Sequence, residues 1–382
     1  VLASLFLAVL VMQEPTTSSW FVEHDLPLKQ ADRFFDIGIV DANGDNNLDI
    51  FTSNHHFRQA LLVADGQGSF RDVTSVWGLD QSREFPLAEL SFAEPQVDKP
   101  GLYIYWISTQ LVIRTHDLSE VGQLQGSLQA YTSFKVMKND GFSIDIDKTT
   151  LSKQEQRTVS ETKISFTSNV DTDAYLRLKP GGQGVPLEFN LRGTIQPTQI
   201  YVGLGKVSPL SDNFSLTMRD RHAMAWADYN NDNRLDIFIN RGALSGMLRA
   251  YPDALKLKIK DELLETRGTA EITDAISESG ITKKDCSGRH ARWVDLNRDN
   301  LLDLFINCHD RKHVAGEYPK QLYRQDIHGR FRDVAQETGL GIPDQQIGSL
   351  TWIDVDDDGD VDLVTLQNEG FFLYRNQAGL FS

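Results

Sequence analysis

Asp354-Val355-Asp356-Asp357-Asp358-Gly359-Asp360-Val361-Asp362 places carboxylates at alternate residues of a tight turn and closes on another after it. The same nine-residue pattern occurs three more times, as Asp41-Ala-Asn43-Gly-Asp45-Asn-Asn47-Leu-Asp49, Asp228-Tyr-Asn230-Asn-Asp232-Asn-Arg234-Leu-Asp236 and Asp295-Leu-Asn297-Arg-Asp299-Asn-Leu301-Leu-Asp303. Positions 1, 3, 5 and 9 are Asp or Asn in every copy. Calcium takes six to eight hard oxygen ligands, and such a loop offers the side chains of positions 1, 3, 5 and 9 together with the carbonyl of position 7. About four calcium sites are therefore expected. Their side-chain donors would be Asp41, Asn43, Asp45 and Asp49; Asp228, Asn230, Asp232 and Asp236; Asp295, Asn297, Asp299 and Asp303; and Asp354, Asp356, Asp358 and Asp362. Their position-7 residues are Asn47, Arg234, Leu301 and Asp360. Position 6 has to turn sharply, and Asn46, Asn233, Asn300 and Gly359 are residue types that tolerate a left-handed backbone.

An EF-hand would place Glu at position 12 between two helices, but position 12 is Thr52, Ile239, Ile306 and Thr365. Apolar runs follow each loop instead: Leu48/Ile50/Phe51, Leu235/Ile237/Phe238, Leu302/Leu304/Phe305 and Val361/Leu363/Val364, the pattern of a strand covered on both faces. Trp226, Trp293 and Trp352 stand two residues before the first donor, with Ile39 in the first copy. Each loop is thus expected to join two strands of a buried hairpin.

Self-similarity continues past the loop. Gly68-Ser-Phe70-Arg-Asp72-Val-Thr leads to Gly78-Leu79, and Gly329-Arg-Phe331-Arg-Asp333-Val-Ala leads to Gly339-Leu340. A worn copy, Glu271-Ile272-Thr-Asp274-Ala-Ile276, leads to Gly280-Ile281. A unit of about four strands repeated in this way points to a propeller or solenoid. On these motifs the chain resembles the FG-GAP or VCBS repeats of integrin-α-type β-propellers, and its Phe-x-Asp-Val-Thr variant is similar to repeats of the cartilage acidic protein group. The resemblance covers about residues 31–80 and 220–382. It implies an all-β, calcium-loop β-propeller, seven-bladed in the full protein and only partly contained here, with one loop between the two inner strands of each blade.

First donors fall at 41, 228, 295 and 354, so roughly 120 residues interrupt the array between the first two copies. Residues 97–212 alternate as half-buried strands do, in Leu102/Ile104/Trp106, Ile164/Phe166, Tyr175-Leu176-Arg177-Leu178, Leu187/Phe189/Leu191 and Ile200/Val202, with Gly and Pro punctuation. They contain no acidic loop and are read as an inserted β-sandwich-like domain, with degenerate blades as the alternative. The expected division is 1–19, a signal-peptide remnant or anchor with linker; 20–96, the first repeat; 97–212, the insert; and 213–382, repeats two to four, truncated at the C-terminus.

Val1 to Met12 are almost wholly apolar, the length of a signal-peptide core rather than of a membrane span. That suits a secreted, periplasmic or cell-surface protein that touches a membrane only through an N-terminal anchor. The formal charge is −16, and thirteen of the aspartates are loop donors. Much of the acidity is therefore metal-site acidity, and nucleic acid is a poor partner for it. Cys286 and Cys308 bracket the third hairpin. Pairing Asp295 opposite Asp303 would put Cys308 opposite His290, close enough to Cys286 for a disulfide, whereas two cysteines fall short of a zinc set.

No G-x-S-x-G elbow, H-E-x-x-H helix, P-loop or dinucleotide motif appears in the sequence. His55, His56 and Arg58 form an isolated acid/base candidate, and Tyr103, Tyr105, Trp106 and Tyr175 could stack on sugar beside Arg114 or Arg177. The sequon Asn213-Phe-Ser215 could carry a glycan in a eukaryotic secretory pathway. The sequence favours a calcium-binding scaffold that engages extracellular protein or glycan. A carbohydrate-active propeller enzyme, a polysaccharide lyase or hydrolase, is the alternative. Among the loops the fourth is expected to bind calcium tightest, because it has four carboxylate donors while Arg234 and Arg298 sit inside the second and third.

Overall fold

Short apolar runs on either side of an acidic turn have one economical solution, an antiparallel hairpin, and each loop adopts it, although Ile37 and Ile39 of the first hairpin and Ile353 of the fourth are exposed. The computed structural model describes residues 34–54, 60–74, 95–107, 110–119, 123–154, 157–168, 172–181, 187–192, 199–202, 213–217, 221–241, 260–267, 271–282, 288–308, 321–341, 347–367 and 370–382, with short pieces at 26, 76–77, 79 and 87–89. In the first repeat β1 (Phe34–Val40), β2 (Asp49–Asn54), β3 (Leu61–Ala64) and β4 (Phe70–Asp72) form one antiparallel sheet in chain order.

The long middle segment forms two further sheets. Its strands are β5 (Leu87–Glu89), β6 (Gly101–Ile107), β7 (Gln110–His116), β8 (Leu124–Ala130), β9 (Phe134–Asp140), β10 (Phe142–Gln154), β11 (Arg157–Ser168), β12 (Tyr175–Pro180), β13 (Leu187–Arg192), β14 (Ile200–Val202) and β15 (Asn213–Thr217). One sheet runs β10-β11-β8-β13-β15-β5 and the other β14-β6-β7-β12-β9. They share a single core, to which Leu102, Ile104 and Leu176 contribute from one sheet and Leu128, Phe166 and Phe189 from the other. The six-stranded sheet reaches beyond 97–212 at both ends, because β5 and β15 pair in parallel with Leu87 opposite Ser215. Short strands flanking the alternating stretch gave no periodic signal of their own.

The repeat resumes with β16 (Arg221–Ala227), β17 (Asp236–Arg241), β18 (Glu262–Arg267) and β19 (Glu271–Asp274), then β20 (Gly288–Val294), β21 (Asp303–Cys308), β22 (Gln321–Gln325) and β23 (Phe331–Asp333). The fourth sheet consists of β24 (Ile347–Ile353), β25 (Asp362–Gln367) and β26 (Gly370–Tyr374), followed by the small hairpin β27 (Asn376–Gln377) and β28 (Leu380–Phe381). The described residues are all-β apart from one helical turn, Ile276–Ser279, which leads to Gly280 in a left-handed conformation. No helix among the described residues is long and apolar enough to cross a membrane.

The four repeat sheets stack in chain order, and the recurrent tryptophans explain how. Trp226 meets Phe51 of the preceding sheet edge-on at 5.6 Å, Trp293 meets Phe238 at 6.4 Å, and Trp352 meets Phe305 at 5.4 Å. An aromatic edge set on a neighbouring face adds directional preference to apolar burial. The equivalent residue of the first sheet, Ile39, is 63 % exposed. The first and second repeat sheets touch directly, although about 150 residues separate them in the sequence: Met224 and Trp226 pack with Phe51 and Leu61, and Ser53 Oγ donates to the His222 carbonyl at 2.9 Å. At this junction the buried Arg221 donates through Nε and Nη2 to Glu262 at 2.7 and 2.8 Å and through Nη1 to the Leu79 carbonyl at 3.2 Å. No closed ring is formed among the described residues.

Two expectations change. Tyr103, Tyr105 and Trp106 are buried, with Tyr103 stacked on Tyr201 at 4.6 Å, so they do not offer a sugar platform to solvent. Alternation showed that these strands have faces but could not show that both faces of β6 are covered. Cys308 pairs with Gly288 rather than His290, because Val294 and not Asp295 lies opposite Asp303 and the register slips between Gly288 and His290. His55, His56, Arg58, Cys286 and Val1–Met12 lie outside the described residues.

Candidate metal centres

The first residue of each loop organises the turn by accepting backbone N–H groups. Asp41 Oδ1 accepts from Gly44 and Asp45 at 2.8 and 3.0 Å, and its Oδ2 accepts from Asn46 at 2.8 Å. Asp228 takes Asp232 and Asn233 at 2.8 and 2.7 Å, and Asp295 takes Asp299 and Asn300 at 3.1 and 3.0 Å. Asp354 Oδ2 accepts from Gly359 at 2.7 Å. Position 5 repeats the device two residues on: Asp45, Asp232, Asp299 and Asp358 each accept the N–H of position 7 at 2.8 to 2.9 Å. The acidic spacing therefore folds the loop as well as collecting oxygens.

Two residues per loop adopt positive φ, not one. Position 6 does so at Asn46, Asn233, Asn300 and Gly359, as expected, and position 4 does so at Gly44, Asn231, Arg298 and Asp357. Arg and Asp are not strong signals for this conformation, so position 4 was not legible. Gly359 has a second constraint, since a Cβ there would lie 2.2 Å from Arg298 Nη2. Gly44 has φ 76° with open space around it. Gly44→Ala is expected to cost about 1 kcal/mol of backbone strain. Gly359→Ala should cost about 1 kcal/mol more, because Arg298 must also move. Equal midpoint shifts of the two variants in urea would contradict this.

Position 9 does something the sequence did not reveal. Asp49 is fully buried, its Oδ2 accepting from Ala42 within the loop and its Oδ1 from Ala64 on the third strand, both at 2.9 Å. Asp303 likewise takes Leu296 at 3.4 Å and Gln325 at 2.9 Å, and Asp362 takes Val355 at 3.0 Å and Asn376 at 2.7 Å. Asp236 accepts from Thr266 at 2.9 Å, but its Oδ2 is buried without a hydrogen-bond partner. Asp354 Oδ1 and Asn297 Oδ1 are also buried without one. In the fourth loop Asp354, Asp356 and Asp362 bring one carboxylate oxygen each within 4.8 Å of the others.

Buried carboxylate oxygens left without a donor, as Asp236 Oδ2 and Asp354 Oδ1 are, suit a divalent cation. Asp41, Asn43, Asp45 and Asp49, with their counterparts in the other loops, are the residues that could hold it. At position 7 the side chains of Arg234 and Asp360 already have partners. Arg234 donates to its own Asp232 at 2.6 Å and to the Thr266 carbonyl at 2.9 Å, and Asp360 accepts from Ala378 at 2.8 Å. Arg298 does not neutralise the third loop that contains it. Its guanidinium crosses to the fourth, where Arg375 also sits 3.1 Å from Asp356. The internal cation thus falls on the loop expected to be free of one, because the long arginine side chain reaches the neighbouring sheet.

Burial pushes the Asp236 carboxyl up to about 7 and the Asp303 carboxyl up to about 6, partly offset by their backbone donors. A raised folded-state value means that the folded protein keeps a proton which the unfolded chain has lost. Without divalent cation, stability is therefore expected to fall as pH rises from about 4 to about 7, by about 3–4 kcal/mol for Asp236. Asp236→Asn should flatten that slope in EDTA, and an unchanged slope in urea titrations at pH 4.5 and 7.5 would count against the assignment.

Comparison with known families identifies one stretch. Residues 295–365 match the FG-GAP-like repeat family. The matched FG-GAP-like repeat begins at the first donor of the third loop and ends on β25, past the fourth loop, so it contains two of the four acidic turns. Comparison with curated proteins returned no match.

Proposed function

We propose that this protein is a secreted or cell-surface binding scaffold whose stacked sheets are part of a seven-bladed, calcium-stabilised β-propeller. The observation that carries the reading is the fourfold recurrence of one acidic nine-residue loop, whose fourth copy brings Asp354, Asp356 and Asp362 within 4.8 Å of one another with Asp354 Oδ1 buried and unpartnered, within a chain that contains an FG-GAP-like repeat. Each loop lies between the first two strands of its sheet, so a bound cation would brace the hairpin against which the next sheet packs. The double sheet between the first two repeats serves as a β-sandwich-like domain displayed on this array. Extracellular protein or glycan is the partner class, and adhesion is the role such a rigid scaffold suits.

Two measurements on the full chain test this. Isothermal titration with Ca²⁺ after chelation should reveal about four sites, and none would refute the metal reading. Glycan and extracellular-protein arrays should then return calcium-dependent binding without turnover. Cleavage of a polysaccharide on the same array would overturn the scaffold reading in favour of a lyase or hydrolase.

A further inference from the structure

Arg298 occupies position 4 of the third loop with φ 58°. Its Nε donates to the Gly359 carbonyl at 2.8 Å and lies 3.0 Å from Asp360 Oδ1, while its Nη2 donates to the Asp358 carbonyl at 2.5 Å. All three acceptors belong to the fourth loop. None is a side-chain oxygen of Asp354, Asp356 or Asp362, the carboxylates that converge there. The Arg298 guanidinium therefore grips the turn from outside without binding the converging carboxylates, one of which, Asp356, pairs instead with Arg375. Gly359, which it packs against, is also the residue whose N–H holds Asp354 Oδ2.

The other end of this strap is set by the third loop. Asp295 accepts from Asp299 and Asn300, immediately after Arg298, and so fixes the left-handed turn from which the side chain departs. The corresponding residue of the first loop is Gly44, which has no side chain to extend. Arg298 is 51 % exposed, so the ion pair with Asp360 adds little to stability by itself. Its effect lies in geometry, because a fork on two successive carbonyls restricts the peptide planes that aim Asp354.

We propose that Arg298 couples the third and fourth loops, so that a cation in the third raises the affinity of the fourth. This rests on the calcium reading above. Charge alone would give the opposite sign, since a guanidinium near a cation site lowers affinity. The contacts on peptide oxygens favour ordering over repulsion. By linkage the fourth site must favour the third by the same factor.

Terbium titration of the full chain tests this, taking the luminescence lost in Asp356→Ala as the signal of the fourth loop. Asp295→Ala, and the milder Asn297→Ala, should weaken that site about fivefold to tenfold, and Arg298→Ala should do the same. In the Arg298→Ala background Asp295→Ala should have no further effect. Asp41→Ala in the first loop should leave the fourth site unchanged. Fully additive losses, or tighter binding in Arg298→Ala, would overturn the coupling while leaving the metal sites intact. Absence of terbium and calcium binding in the unsubstituted chain would instead remove the reading on which it rests.

Discussion

Chelation is expected to lower the melting temperature by roughly 10–20 °C, as a consequence of mass action on four loops. With a dissociation constant of about 0.1 mM in about 1 mM calcium, each site contributes about 1.4 kcal/mol, and four contribute roughly 5–6 kcal/mol. That is comparable with the whole stability of an ordinary domain, about 5–15 kcal/mol. The structure offers a physical route for so large an effect, because the loops carry clustered carboxylates that repel one another when no cation lies among them. A scanning calorimetry trace in EDTA that overlays the trace in calcium would refute the stabilising role. Restoration by calcium but not by equal ionic strength of sodium would separate coordination from screening.

Asp49→Ala is expected to remove about 3–4 kcal/mol even in EDTA. The mutation strands two backbone donors, Ala42 and Ala64, in the interior of the first sheet. Each unsatisfied buried donor costs about 1–3 kcal/mol. Asp45→Ala, at an exposed position where the released donors Asn47 N–H and Asn43 Nδ2 can turn to water, should cost under about 1 kcal/mol under the same conditions. Urea unfolding of both variants without divalent cation distinguishes the structural duty of position 9 from its place in a donor set. Equal losses would mean that position 9 matters only through a metal.

These two positions also show where the sequence was readable. The nine-residue spacing and the apolar runs are local signals, and they located the loop-bearing hairpin of each repeat, its turn at position 6 and, in three copies, the tryptophan before it. The middle segment was recognisable as strands by alternation, and Leu102, Ile104, Phe166 and Phe189 do fill one core. What could not be read is what depends on a partner distant in the chain. Asp303 looks like a ligand in sequence, whereas Gln325, which completes its hydrogen bonding, is a strand away. Arg298 looks like a charge within its own loop until the next sheet is set beside it. Tyr103 and Tyr105 alternate with Leu102 and Ile104 on β6, and only the packing shows that the second face is covered too.

The direct contact between the first and second repeat sheets has a consequence for folding. Closing so long a loop is an entropic burden that grows with the logarithm of its length, about 0.6 kcal/mol for each doubling. The parallel pairing of β5 with β15 changes that estimate, because the strand that leaves the first repeat and the strand that returns to the second lie side by side. Once the two middle sheets have folded, the chain ends they present to the stack are already neighbours, and the effective loop shrinks to the short connections on either side. The middle segment then works as a clasp that gathers the array, and its folding should precede the docking of the first sheet onto the second.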